Sequence, residues 1–166
     1  MDSIEILGGR VDDATYDELM DKVDAFVGSG KPHHVITVNV EMLIAAYDDP
    51  EFATVLEGGA LNVADSVGVM LAARLLGRPL RERVTGSDGI HRLAAHSARK
   101  GYRPYLLGAA PGVAELAARS LRAANPSLDV AGVYACSPRV SEEDDIIRRV
   151  RAANPDLLLV ADGVPV

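Results

Sequence analysis

Short apolar runs alternate with longer helical stretches along almost the whole chain, and this alternation constrains the fold more than any other feature. Residues 3–7, 34–38, 61–64, 104–107, 128–134 and 157–160 read as strands, and residues 15–27, 40–47, 51–57, 67–76, 88–100, 113–124 and 141–153 read as helices. Strand–helix alternation of this kind builds a mostly parallel, Rossmann-like α/β sheet with helices on both faces. Gly8-Gly9 turns the first strand, so the chain opens with a small hairpin. Thr15 and Glu18 form a capping box, Gly28 and Gly30 end that helix, and Pro50 suits a first helical turn. Segment 67–76 is apolar almost all round, which predicts a buried helix. Ala-Ala-Asn-Pro occurs at 123–126 and again at 152–155, each time between a helix and a strand, which predicts two similar turns. A length of 166 residues is that of one domain, here a single core over 1–166 with a soft seam near Gly101 and a more regular second half, 102–166.

Composition narrows the function. One cysteine excludes a disulfide scaffold and fits a reducing compartment, and Cys136 reads as a small buried residue. No apolar run approaches the roughly 20 residues that span a bilayer, and no signal peptide opens the chain, so the expectation is a cytoplasmic protein. Aromatic residues are 4% and tryptophan is absent, which leaves little to stack on nucleic-acid bases. The net charge of −7 is uneven: residues 1–65 hold fourteen acidic and three basic side chains, whereas Arg74, Arg78, Arg81, Arg83, Arg92, Arg99, Lys100 and Arg103 cluster downstream. Such a protein is a poor general DNA binder but suits a phosphorylated ligand or an anionic lipid surface; solvated helix faces are the plainer account of the same arginines.

In open α/β sheets ligands bind beyond the carboxyl ends of the strands. Those positions hold Thr37, Asn39 and Glu41; Asp65 and Ser66; Gly108, Ala109, Pro111 and Gly112; Tyr134 to Ser137; and Asp162 to Pro165. Thr37, Asn39 and Asp65 follow neighbouring strands and could meet in one cleft. Asp65 and Asn39 could equally be helix N-caps. The run Gly108-Ala-Ala-Pro-Gly112 leads into a helix whose free N–H groups attract anions, although it is neither the dinucleotide fingerprint nor a P-loop, and a plain strand–helix turn explains it as well. Arg83 could fork onto a diphosphate or pair with Glu82 or Asp88. Metal chemistry is poorly served: His33 and His34 are adjacent, His91 and His96 are five apart, and no Asp-x-Asp pair occurs. No Gly-x-Ser-x-Gly elbow marks a hydrolase.

Five segments in register, Thr37-Val-Asn-Val-Glu-Met42, Ala64-Asp-Ser-Val-Gly-Val-Met70, Arg83-Val-Thr-Gly86 with Asp88, Tyr105-Leu-Leu-Gly-Ala-Ala-Pro-Gly112 and Pro155-Asp-Leu-Leu-Leu-Val160, resemble the TagA/WecG/CpsF family of bacterial glycosyltransferases (glycosyltransferase family 26). The TagA branch, which transfers N-acetylmannosamine, is the nearest in pattern. The resemblance implies an α/β fold distinct from the two common glycosyltransferase architectures. It also implies inverting, metal-independent transfer from a UDP-sugar to an undecaprenyl-diphosphate-linked N-acetylglucosamine in teichoic acid or surface polysaccharide synthesis. The enzyme would sit peripherally on the inner face of the cell membrane, as a possible homo-oligomer, with no cofactor and no nucleic-acid partner. Carried over by motif, Asp65 is the catalytic base; Thr37, Asn39, Arg83 and Gly86 line its pocket; and Gly108, Ala109, Pro111, Gly112, Tyr134 and Gly163 border the donor.

Two departures are visible. The family usually has Gly-Gly where this chain has Gly108-Ala109, and Gly-x-Gly-x-Pro where it has Ala161-Asp-Gly-Val-Pro165; in the nucleotide pocket that the resemblance implies, Asp162 would be a like charge near phosphate. Family members continue past Val166 with an arginine-bearing segment, so this length is expected to fold but to be poorly active alone. The alternative is a nucleotide-binding or regulatory module of the same fold without catalysis.

Overall fold

A computed structural model describes residues 1–136 and 140–161. The element order is β1 (Ser3–Ile6), β2 (Gly9–Asp12), α1 (Tyr16–Gly28), β3 (Val35–Val38), α2 (Val40–Asp48), α3 (Pro50–Glu57), β4 (Leu61–Ala64), α4 (Val67–Leu75), α5 (Gly86–Lys100), β5 (Pro104–Gly108), α6 (Val113–Ala124), β6 (Gly132–Tyr134), a 3-10 turn (Val140–Glu142), α7 (Glu143–Ala153) and β7 (Leu157–Ala161). The alternation therefore produces the α/β architecture expected, with one difference: the strands form two sheets, ordered β1-β2-β4-β3 and β6-β5-β7. The chain divides into two compact units, Met1–Gly89 and Ile90–Val166, and the boundary falls inside α5, upstream of Gly101.

In the first unit β1 and β2 make the N-terminal hairpin, pairing antiparallel from Ser3↔Asp12 to Ile6↔Gly9. Strand β4 then runs parallel to both β2 and β3. All four residues of β4 are buried, which is why Leu61-Asn-Val-Ala64 shows no polar alternation. Val11, Val38, Leu43, Leu56 and Val69 are at most 2% exposed and form the centre of its core. Asn62 is the polar exception. Its side-chain amide donates to the carbonyls of Arg10 (3.1 Å) and Leu56 (2.8 Å), and its backbone N–H donates to the Asp12 carboxylate (2.8 Å). Strands β2 and β4 are thus tied by side chains where their ladder is a single pair. The capping box is present: Thr15 accepts from the Glu18 N–H, and Glu18 accepts from the Thr15 N–H. Asp49 caps α3 ahead of Pro50.

Helix α4 departs from the expected burial. Only Val69 and Ala73 are buried, while Val67 (68%), Leu71 (55%) and Leu75 (79%) stand exposed. Together with Ile6, Leu7, Val40, Leu43 and Gly68, this helix lines an open apolar groove of about 430 Å³. All-round apolarity describes the helix; it does not say that every face is covered.

In the second unit β5 is central and fully buried, paired in parallel with β6 and β7. Ala114, Ala118 and Leu121 of α6 pack on Leu106, and Ala94 of α5 joins the same cluster, which explains why the boundary divides α5. The strand expected over 128–134 shortens to Gly132–Tyr134. Leu128 and Val130 instead fill the core, and the Val130 carbonyl takes a hydrogen bond from Arg122 (3.1 Å) rather than from a strand. The helix expected from Ser141 starts as a 3-10 turn and becomes α-helical at Glu143. The two Ala-Ala-Asn-Pro turns differ in backbone: Asn125 lies at φ −135° and Asn154 at φ 45°, so one sequence serves two geometries. Cys136 is half-buried rather than buried. Among the described residues no helix is long and apolar enough to cross a membrane.

Candidate functional site

The pairing of β3 with β4 aligns Val38 with Ala64, so Thr37, Asn39 and Asp65 leave the same end of one sheet. The backbone at Asp65 is held on both sides. Its N–H donates to the Val38 carbonyl (2.8 Å), and the Val84 N–H donates to the carbonyl of Ala64 (2.8 Å). Asp65 could have been the N-cap of α4, but that role belongs to Ser66, whose hydroxyl accepts from the Val69 N–H (3.3 Å). The Asp65 carboxylate is therefore left for other work. Asn39 does cap its helix: Oδ1 accepts from the Met42 N–H (2.9 Å), which leaves its side-chain N–H groups as what it can offer a ligand.

The segment between α4 and α5 brings in the remaining groups. Val84 and Thr85 are buried, while Arg83 between β4 and α5 is exposed and donates weakly to the Asp65 carbonyl (3.4 Å). Of the two partners expected for Arg83, Glu82 is turned to α1, where it accepts from the Tyr16 N–H (2.8 Å). Helix α5 begins at Gly86, two residues before its expected start. Thr85 stands at its head, with Oγ1 accepting from the Asp88 N–H (3.1 Å) and its carbonyl accepting from the Gly89 N–H (2.8 Å). The Gly86 amide acts on the Asp65 carboxylate and favours its ionised form. A side chain at Gly86 would lie 3.5 Å from Thr37 Oγ1, so Thr37 faces the head of the same helix. Asp65, Arg83, Gly86 and Thr37 thus come together.

Electrostatics at Asp65 favour a proton acceptor. Partial burial raises its pKa above the ordinary value, and Asp88 adds to that; the Gly86 amide and the Arg83 guanidinium pull the other way without cancelling it. A carboxylate so placed is more basic than an exposed aspartate.

The downstream arginines divide by role. Arg81 is anchored to the head of α1, with Nε 2.9 Å from Asp13 Oδ2 and Nη2 2.7 Å from Glu18 Oε2. Arg103 binds Asp129 (2.9 Å) and the carbonyls of Ala153 and Asn154. Of the arginines in that cluster, Arg83 is the one hydrogen-bonded at Asp65.

In the second unit the loop 108–112 follows β5. Gly108 (φ 93°), Ala109 (φ 64°) and Gly112 (φ 85°) all lie in the left-handed region. Gly112 precedes α6 with no side-chain cap, and Pro111 lies in the turn two residues ahead of the helix. Tyr134 ends β6 and is already engaged. Its hydroxyl donates to Asp145 Oδ2 (3.2 Å), and the Arg149 guanidinium lies 4.4 Å above its ring. Asp145 in turn holds Arg149 (2.6 Å) and Arg148, and these arginines hold its carboxyl below the ordinary range. A ligand stacking on Tyr134 would have to displace Arg149 or use the opposite face. Gly163 and Asp162 lie outside the described residues.

Sequence reasoning missed Tyr16. Its ring is buried, its hydroxyl accepts from the Thr85 N–H (2.8 Å), and it reaches the Thr85 carbonyl and Oγ1 (both 3.2 Å). The available signal was a hydroxyl directly after a helix cap, on the face that must be buried.

A basic carboxylate, a helix-head amide and a guanidinium at the strand ends of an open α/β unit form a site suited to taking a proton beside an anionic group. The chain belongs to the glycosyl transferase WecG/TagA/CpsF family, whose model matches residues 4–166. It is similar to the N-acetylglucosaminyldiphosphoundecaprenol N-acetyl-beta-D-mannosaminyltransferase of Bacillus spizizenii (strain W23), with 26% identity over 140 residues, 84% of this chain and 54% of that protein. It is also similar to the protein of the same name from Bacillus subtilis (strain 168), with 28% identity over 131 residues, 79% of this chain and 50% of that one. The chain spans about half the length of the curated relatives it matches.

Proposed function

We propose that this chain is the catalytic core of an inverting glycosyltransferase that moves N-acetylmannosamine or a related sugar from a UDP-sugar to an undecaprenyl-diphosphate-linked N-acetylglucosamine. Asp65 takes the proton from the attacking acceptor hydroxyl. That oxygen forms the new bond to the sugar's anomeric carbon as the bond to the UDP oxygen breaks, and the electron pair leaves on UDP. Arg83 and the head of α5 offset the developing diphosphate charge, so the mechanism needs no metal. Thr37 and the Asn39 amide hydrogen-bond the sugars, and the loop 108–112, Tyr134 and Gly163 are the positions assigned to the nucleotide. The protein works peripherally at the inner membrane face, where such an acceptor is presented.

The observation that carries this reading is the Asp65 carboxylate: it does not cap α4, its proton affinity is raised, and it lies with Gly86, Thr37 and Arg83 at one strand end. The acceptor and sugar come from what the relatives are named for. The test is transfer to a short-chain lipid-diphosphate acceptor, with UDP binding followed by calorimetry. Asp65→Asn is expected to lower turnover by about 10²–10⁴-fold with UDP affinity retained, and wild-type turnover is expected to survive EDTA. Wild-type-like turnover in the variant would remove Asp65 as the base. Turnover lost in EDTA and restored by manganese would remove the metal-free mechanism.

A further inference from the structure

The Thr85–Gly86 peptide unit connects Asp65 to a residue far away in sequence. A peptide is planar and trans, so its carbonyl oxygen and N–H point in opposite directions; holding one aims the other. In this unit the N–H belongs to Gly86, which favours the ionised Asp65 carboxylate, and the residues just before it are tied to the same strand end by Val84 N–H on the Ala64 carbonyl (2.8 Å) and Arg83 on the Asp65 carbonyl (3.4 Å). The oxygen belongs to Thr85, which accepts from the Gly89 N–H at 2.8 Å and lies 3.2 Å from the Tyr16 hydroxyl. The preceding peptide is held by the same hydroxyl, which accepts from the Thr85 N–H at 2.8 Å. One phenol oxygen, on a side chain only 4% exposed, therefore grips two consecutive peptide units immediately before the helix head.

The surroundings make this grip stiff. Tyr16 is the first residue of α1, behind the Thr15 capping box. Its own N–H is held by Glu82 (2.8 Å), and Arg81 is held by Asp13 and Glu18 from the same end of α1. The segment 81–85 is thus fastened to α1 at Arg81, Glu82 and Thr85. A hydrogen bond accepted by the Thr85 oxygen also polarises its peptide, making the Gly86 N–H a better donor.

We propose that Tyr16 is the positioning residue for Asp65, its hydroxyl holding the Thr85–Gly86 peptide so that the Gly86 N–H stays aimed at the carboxylate. The role in catalysis rests on Asp65 being the base; the role in orientation does not. The charged groups acting on this carboxylate are Arg83, from the segment before α5, and Asp88, from α5 itself. Tyr16→Phe leaves both in place, keeps the ring and removes one oxygen.

The experiment follows Asp65 by carbon-13 carboxyl NMR as pH is varied in the wild-type chain and in Tyr16→Phe, with no substrate present. Losing the aimed N–H removes a contact that favours the ionised form, so the Asp65 midpoint is expected to rise by about half a unit or more. In the transfer assay kcat/KM falls about threefold or more at low pH and little at high pH, and the acid limb of its profile moves with the NMR midpoint. An unchanged Asp65 midpoint in a folded Tyr16→Phe chain overturns the proposal, whatever the turnover. A raised midpoint with unaltered turnover supports the positioning and counts instead against Asp65 as the base. Should Tyr16→Phe not fold, 3-fluorotyrosine at position 16 keeps the ring and strengthens the donor; the Asp65 midpoint should then fall, and no change would overturn the proposal.

Discussion

The ends of β4 and β5 are both strand-to-helix junctions after a fully buried strand, yet they are built from different materials. After β4 the groups are side chains: Asp65 not used as the α4 cap, Ser66 capping, Arg83 and Thr37 alongside. After β5 they are backbone: three left-handed residues and a helix whose preceding Gly112 carries no side-chain cap. A side-chain junction can place a proton acceptor whose basicity is tuned by burial and by neighbouring charge. A backbone junction offers N–H groups and close approach, which suit an anion but do no acid–base chemistry. The difference teaches that two strand ends alike in sequence position can be suited to different chemistry.

That contrast can be broken most forcefully at Arg83. Arg83→Ala is expected to lower turnover by about a hundredfold through lost charge at the leaving group, with the melting temperature unchanged because the side chain is exposed. Arg81→Ala, two residues away, should do the reverse: it unfastens Asp13 and Glu18, so the melt moves and chemistry follows only through structure. Equal effects of the two in steady-state kinetics and thermal melts would erase the distinction between site and scaffold on this segment.

A smaller effect is expected at the backbone junction. Gly112→Ala forces a side chain into the left-handed region with open space around it, which costs about 1 kcal/mol after the entropy gained by losing glycine. The reverse change, Ala109→Gly at φ 64°, should be neutral or stabilising by less than about 1 kcal/mol. Urea melts read both, and a Gly112→Ala chain as stable as wild type would show that the left-handed turn is not required.

The smallest effect is at Asp65 itself, read as stability. Its folded-state pKa is raised, so the folded chain holds this proton more tightly than the unfolded chain does. The penalty is absent below the ordinary aspartate range, develops as pH rises through the raised value, and persists above it. Asp65→Asn should therefore melt no lower than wild type at neutral pH, and higher by at most about 2 °C because the group is only partly buried. A clear loss of stability would make Asp65 a structural residue.

Much of this was legible in the sequence. The alternation fixed the class of fold because period and length separate strands from helices, and the β1–β2 hairpin followed from Gly8-Gly9. Asp65, Thr37 and Arg83 could be picked out because strand ends are where open sheets bind ligands and because the segments matched a family in register. What was not legible was pairing across distance. Nothing local told that Ser66 rather than Asp65 would cap α4, or that Tyr16 would reach Thr85, 69 residues on. The split into two sheets and the open face of α4 depend on which neighbours arrive, not on the composition of a segment. Strand 128–134 failed similarly: Leu128 and Val130 are β-like residues that the core took for packing.

The most direct test of the account is the pH dependence of kcat/KM for sugar transfer, set beside the carboxyl titration of Asp65 in the same protein. The account predicts an acid limb whose midpoint coincides with that of Asp65, above the ordinary aspartate value of about 3.9, and a limb that vanishes from the residual activity of Asp65→Asn. A limb that stands apart from the Asp65 midpoint, or one that survives in the variant, would contradict it.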